Sequence, residues 1–469
     1  MSGLEQLQAR LHQDLVWLEL PAKPWLPRQQ SNGQPLLDVA VIGAGMAGMA
    51  SCAALRMLGV DAHLFDRAAA GREGPWLSYA RMQTLRSPKQ LTGPALGLPA
   101  LTFRAWYEAQ FGLAAWQALE KIPRAQWMEY LVWYRQVLQL PVHNEHHLTA
   151  IAPEGDHLRL SLQTPGGPTT VYTRRLVLAT GRDGLGGPYL PSLFRALPAH
   201  RCAHSADPID FAALAGCRVG VIGGGASAMD NAAEALEAGA ASVDLFIRRA
   251  QMPTINKGKG VSGPGNFIGY AGLPDIDKWQ FSHYVNQQQV PPPRGSTLRV
   301  SCHANARFHL GSPVLACEAG ATGLRLSTPR GHHELDFLIC ATGFHVDLAQ
   351  RPELRDIADN IRLWRDAFQA PQADVELDGS PYLGSDFAFQ EKHPGDQPWL
   401  GLIHCFNYPG VLSLGKITGD IPGISEGAQR LARALTAHLF VAHRQAMFEQ
   451  LRDYAEPELL GDEWTDAAH

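Results

Sequence analysis

The sequence predicts an α/β protein in which two Rossmann-like dinucleotide-binding domains share one chain, the first of them split by the second. Three observations predict it. A strand, glycine turn, helix and second strand run through residues 36–66, and the same pattern recurs 180 residues later. An apolar strand ending in Ala-Thr-Gly stands once before the second copy and once after it.

Length and composition set the frame. A chain of 469 residues exceeds the roughly 250 to 300 that one core supports, so two or three domains are expected. Hydrophobic residues at 45% and charged residues at 18% describe a folded protein with large cores. The net charge of −5, without a basic run, leaves nothing to neutralise a phosphate backbone, so nucleic acid is not an expected partner. Seven cysteines form no C-x-x-C pair, which argues against a disulfide framework or a thiol redox centre and for a reducing cytoplasm. No stretch reaches about 18 uncharged apolar residues, so no membrane span is predicted.

The elements follow in order. Leu4, Leu7, Leu11, Leu15 and Leu18 recur at helical spacing with Glu5, Arg10 and Asp14 among them, which is a helix and not a secretory leader. Pro21, Pro24 and Pro27 then read as the start of a linker that ends near residue 35. The first strand, Leu36 to Ile42, enters Gly43-Ala44-Gly45-Met46-Ala47-Gly48 and a helical run from Met49. In this fingerprint Gly43 turns the chain, Gly45 admits a pyrophosphate and Gly48 lets helix and strand pack closely. Asp66, 23 residues after Gly43, closes the second strand, where a carboxylate accepts hydrogen bonds from a ribose.

The second copy runs from Arg218 through Gly223, Gly224, Gly225, Ser227 and Ala228 to the strand Ser242–Ile247. At the position of the acid stand Arg248 and Arg249, whose guanidinium groups suit a 2′-phosphate in a forked geometry. One site shaped for an unphosphorylated ribose and one for NADP suggest a flavin dinucleotide held permanently and a nicotinamide that visits. Ala179-Thr180-Gly181 and Ala341-Thr342-Gly343 mark the crossings between the two halves. The expected division is residues 1–35 as a helical extension and linker, 36–199 with 336–469 as the FAD-binding domain, and 200–335 as the NADP-binding domain. The extension's helix should cover either its own FAD-binding half or a partner subunit in a homodimer.

Together with Gly74-Pro75-Trp76, His204-Ser205 and Phe344, these motifs resemble the class B FAD- and NADPH-dependent flavoprotein monooxygenases, a group that includes the flavin-containing and N-hydroxylating monooxygenases. The resemblance covers residues 36 to 345 well and the remainder loosely. It implies a glutathione-reductase-like two-domain architecture, tight FAD, hydride from NADPH, and O2 activated as a flavin C4a-(hydro)peroxide to oxygenate a small molecule. The family's linker F-x-G-x-x-x-H is represented only by His204, so no subtype follows from it.

The same resemblance places Trp76, Met82 and Gln83 beside the flavin, with Gln83, Arg86 and His204 as catalytic candidates. Lys89 is a second cation in the stretch holding Arg86. Asp420 and the helical run from Glu426 are expected to present a helix start to the reduced flavin, whose negative charge it would stabilise. The aromatic residues between Trp106 and Tyr134 fall at helical spacings and read as core. The segment Met252–Pro293, rich in Gly, Asn, Gln and Pro, is expected to form a mobile flap over the active site. The adjacent pairs His146-His147 and His332-His333 cannot each share one helix face, and no metal is expected. Two other readings stay open on the residues alone: an NADPH oxidase or reductase serving O2, a quinone or a protein acceptor, and a flavin-bound redox sensor.

Overall fold

The structure is a computed structural model that describes residues 2–464. Its fold is α/β with mixed sheets. The larger sheet has eight strands. Its parallel part places Val142–His143, Ala62–Phe65, Gln34–Ile42 and Gly167–Leu178 side by side, with Ile403–Cys405 also parallel to the last. Val39, Val41 and Leu64 are fully buried, as parallel strands covered on both faces require. A meander of His147–Glu154, His157–Thr164 and Gly167–Leu178 extends this sheet antiparallel.

The second sheet has five parallel strands, in the order Ala306–Leu310, Ser242–Ile247, Arg218–Ile222, Phe337–Cys340 and Cys202–His204. A three-stranded antiparallel sheet, Ala316–Ala319, Leu324–Thr328 and Gly331–Leu335, accompanies it. The strands Gly186–Pro188 and Phe344–Val346 pair where the chain leaves and rejoins the larger sheet.

The N-terminal helix, Gly3–Trp17, starts with a capping box between Ser2 and Glu5. It packs on its own chain: Leu7 and Leu11 are buried, and a Cβ on Gly3 would lie 1.8 Å from the Ala109 carbonyl oxygen of the helix Phe103–Ala118. The presumed linker after it contains a hairpin, because Gln30–Ser31 pairs back onto Gln34–Pro35 through left-handed Asn32 and Gly33. The aromatic cluster is core. Phe103, Trp127, Tyr130 and Tyr134 are buried among one another, and the two tyrosines donate to the carbonyls of Leu101 and Pro94.

The segment 252–293, expected as a mobile flap, forms helices. It contains the helices Pro264–Gly269 and Asp275–Gln288, and the second is docked on the C-terminal part of the chain. Trp279 packs with Trp364, Leu377 and Leu412, His283 pairs with Asp374 at 2.7 Å, and Tyr382 donates to Asp275 at 2.8 Å. Burying Trp279 outweighs the weak helix preference of Asn286 and of the flanking Gly272 and Pro274. No helix among the described residues is long and apolar enough to cross a membrane.

Candidate active site

Both glycine turns stand at the carboxyl ends of parallel strands, where an open α/β sheet offers a crevice. Gly43 has a φ of +100°, and a Cβ there would lie 2.5 Å from the Ala179 carbonyl oxygen. Gly48 is tighter still, with its Cβ position 1.8 Å from the Gly43 oxygen. The helix Met46–Met57 has Gly45 as its N-cap, and no side chain closes that end. Its first N–H groups therefore remain for an anion.

Asp66 is buried and accepts from the N–H groups of Ala44 at 2.6 Å and Ala68 at 2.7 Å. Burial pushes its pKa up, against the pull of those two bonds. Gly74 lies against Gly45, and its Cβ position is 3.8 Å from the indole nitrogen of Trp76. That nitrogen is buried without a hydrogen-bond partner. A turn open to phosphates, a ribose-height carboxylate and an orphaned indole N–H make a set of residues that fits a dinucleotide.

The second turn repeats the first. Gly223 has a φ of +126°, and its Cβ position lies 2.7 Å from the Ala341 carbonyl oxygen. Gly225 is the N-cap of Ala226–Glu237, again with no side-chain cap, and Ser227 is exposed in the first turn while Ala228 is buried. Arg248 and Arg249 follow the strand Ser242–Ile247 but are held differently. Arg249 donates to the Gln287 carbonyl at 2.6 Å. Arg248 is exposed, and among the described residues no hydrogen bond or ion pair holds it.

Between the turns, the loop after Trp76 joins the two halves. Arg81 donates to the carbonyls of Ser205 and Asp207, each at 2.7 Å. Arg86 pairs with Asp230 at 3.1 Å, on the second fingerprint helix. Lys89 donates to the carbonyls of Trp116, Gln117 and Leu119, so it closes a helix end and does not face an anion. Met82 packs on the main core, and Gln83 is exposed.

His204 stands at the crossing. Its Nδ1 accepts from the Ala206 N–H at 3.1 Å and its Nε2 donates to the Gly343 carbonyl at 2.9 Å. Burial holds its pKa below the ordinary value. With both ring nitrogens engaged by backbone, the ring fixes the crossing in one neutral tautomer.

The two Ala-Thr-Gly exits are also filled differently. Asn407 donates to the Thr180 hydroxyl at 3.1 Å and accepts from the Cys405 thiol at 2.9 Å. Thr342 donates to the Tyr189 carbonyl. Just past Gly181, the Arg182 guanidinium lies 4.2 Å over the Tyr408 ring. Asp420 is exposed and precedes a short turn that leads into the helix Ile424–Ala442. The Asn407–Thr180 bond and the stacking of Arg182 on Tyr408 carry no local sequence signature, since each joins residues more than 200 apart.

The profile of the pyridine nucleotide-disulphide oxidoreductases matches residues 40–261, which span both glycine turns. An FAD-dependent urate hydroxylase from Xanthomonas campestris pv. campestris is 42% identical over 98% of this chain and 98% of its own. The chain belongs to the class B flavoprotein monooxygenases. Solved structures agree on the fold. An ornithine hydroxylase from Pseudomonas aeruginosa covers 86% of this chain and 100% of its own, with a TM-score of 0.64 and 17% identity. An L-lysine 6-monooxygenase from Pseudomonas syringae covers 86% of this chain and 99% of its own, at 0.65 and 18%. The chain is thus an FAD-dependent monooxygenase. All seven of its cysteines are free.

Proposed function

We propose that this monooxygenase hydroxylates urate, using NADPH and O2. One observation carries the substrate: a relative alike over its full length acts on urate. One oxygen atom goes to the substrate and the other leaves as water, with NADPH supplying the two electrons. FAD supplies the redox chemistry with O2 when bound.

The chain's own residues bind, orient and exclude water. Gly43, Gly45, Gly48, Asp66 and Trp76 hold the flavin dinucleotide, with Met82, Gln83, the exit Ala179-Thr180-Gly181 and the turn at Asp420 around it. Gly223, Gly225, Ser227, Ala228 and Thr342 receive the nicotinamide dinucleotide, and Arg248 and Arg249 select its 2′-phosphate. Arg86 and His204 are positioning residues: one ties the flavin-side loop to the second helix, the other locks the crossing. Arg182, exposed on the Tyr408 ring, is suited to a planar anion such as urate. The same reading divides the chain into an extension (1–35), an FAD domain (36–199 and 336–469) and an inserted NADP domain (200–335), in a glutathione-reductase-like arrangement.

The test is stoichiometry. Urate loss, O2 uptake and NADPH oxidation should run in equal amounts. Peroxide accumulating mole for mole with NADPH consumed, at every urate concentration, would instead identify an oxidase.

A further inference from the structure

The strand Ser242–Ile247 divides its side chains between two faces. Val243, Leu245 and Ile247 join the core under the helix Ala226–Glu237, whereas Phe246 joins Leu324, Leu326 and Leu335 of the three-stranded sheet. Asp244 shares the face of Phe246. On the neighbouring strand, Phe308 and Leu310 face the helix core, which turns His309 toward Asp244 and Phe246. His333 arrives on the same spot from the strand Gly331–Leu335. Three strands far apart in sequence thus bring a carboxylate and two imidazoles together.

The ligand atoms of Asp244, His309 and His333 all lie within 4.8 Å of one another. His309 Nε2 is 2.7 Å from Asp244 Oδ1. The other carboxylate oxygen is oriented from outside the cluster, with Ser242 Oγ at 3.5 Å and Arg307 Nη1 at 3.6 Å. Nε2 of His333 is buried without a hydrogen-bond partner. Phe246 walls the group, stacked on His309 at 5.0 Å and edge-on to His333 at 4.8 Å. An orphaned imidazole nitrogen beside a buried carboxylate is costly in an apolar setting unless something positive is shared between them.

The geometry points to a divalent metal site made by Asp244, His309 and His333, with zinc as its ion. Two imidazoles and one carboxylate are a zinc donor set with one open position, whereas magnesium and calcium prefer oxygen alone. Zinc bonds of about 2.0 to 2.1 Å put ligand atoms about 3.4 Å apart, so the 2.7 Å His309–Asp244 contact opens on binding while the widest separation in the group, now up to 4.8 Å, closes. Ser242 and Arg307 act as the outer contacts that aim the carboxylate. The ion clips the three-stranded sheet to the nucleotide-binding sheet and stiffens the strand Ser242–Ile247, which leads into Arg248. With three protein ligands, the ion's fourth position is left to water, and the site lies in the visiting-cofactor half.

The test uses the full-length FAD-loaded protein, untagged, stripped with a chelator and desalted. Titration with zinc alone should show one saturable site per chain and a raised melting temperature, with magnesium giving neither. His333→Gln and Asp244→Asn should each weaken zinc binding more than tenfold. FAD content and the melting curve of the metal-free variants report whether they fold. If Asp244→Asn does not, His333→Gln and zinc-edge X-ray absorption decide: imidazole and oxygen neighbours are expected, without sulfur. Sulfur scattering, no saturable site, or a His333→Gln protein that binds zinc like the parent would each overturn the assignment.

Discussion

In the first nucleotide fold Gly43 lies over the carbonyl of Ala179, and in the second Gly223 lies over the carbonyl of Ala341, with Cβ positions 2.5 and 2.7 Å away. The turns are near copies, down to the uncapped helix starts at Gly45 and Gly225. They part company at two places. The third position is Gly48 in the first, where even a methyl group would overlap the Gly43 carbonyl, and Ala228 in the second, where a methyl group is accommodated. The second strand ends in a buried, doubly bonded carboxylate in the first fold and in an exposed guanidinium in the second. A tight turn with a buried polar anchor suits a ligand that stays, and an open turn with an unengaged cation suits one that exchanges. The difference lies in what finishes the fold, not in the fold.

The sharpest way to break that comparison is to put the same residue at both turns. Gly43→Ala should cost FAD content about tenfold or more, because strain at positive φ adds to a carbonyl clash. Gly223→Ala should leave the flavin spectrum intact and raise the Michaelis constant for NADPH instead. Equal loss of FAD in both would end the distinction between resident and visitor.

A separate effect concerns stability in acid and is confined to the first half. His404, buried on the strand Ile403–Cys405, has its pKa pushed down from 6.5 to about 4, first by burial. The unfolded chain therefore takes up this proton before the folded one does. The contribution is complete above about pH 6.5 and is lost as pH falls toward 4, reaching about 3 kcal/mol. Urea midpoints across that window should fall, and His404→Asn should flatten the fall.

Next comes the pair of arginines. Arg248→Ala should raise the Michaelis constant for NADPH by about tenfold while leaving NADH nearly unchanged. Arg249→Ala should do less, since that side chain already serves the Gln287 carbonyl. Steady-state kinetics with both nucleotides checks the order. The smallest effect belongs to the bridge between halves: Arg86→Ala leaves the buried Asp230 unpaired and should cost about 1 kcal/mol, discounted because Arg86 is itself half exposed. The melting temperature of the FAD-loaded protein reads it.

What could be read from the sequence was what neighbours dictate. The two turns, the acid and the two arginines are read from spacing within one strand-turn-helix-strand unit, and the structure places both turns at the carboxyl ends of parallel strands. The helix after the first turn starts at Met46, three residues earlier than the apolar run suggested, because helix ends follow capping more than hydrophobicity. The Asn32-Gly33 dipeptide carried a hairpin signal that the surrounding prolines obscured. Cations were the hardest to place. Arg81, Arg86 and Lys89 sit three to five residues apart and look alike, yet one binds carbonyls across the halves, one a carboxylate and one a helix end. Only tertiary neighbours separate them. Composition gave no sign of the docked helix in 252–293 for the same reason: Trp279 finds its packing partners more than 80 residues on.

The crossing held by His204 has a further consequence. Its strand and the strand Phe337–Cys340 are adjacent and parallel, with His204 opposite Cys340 and hydrogen-bonded to Gly343. The chain thus leaves for the second sheet and returns from it at neighbouring points. On the proposed division of the chain, a segment whose ends nearly meet should behave like a cassette: exchanging it for one with another nucleotide preference should leave the parent sheet in need of only a short splice.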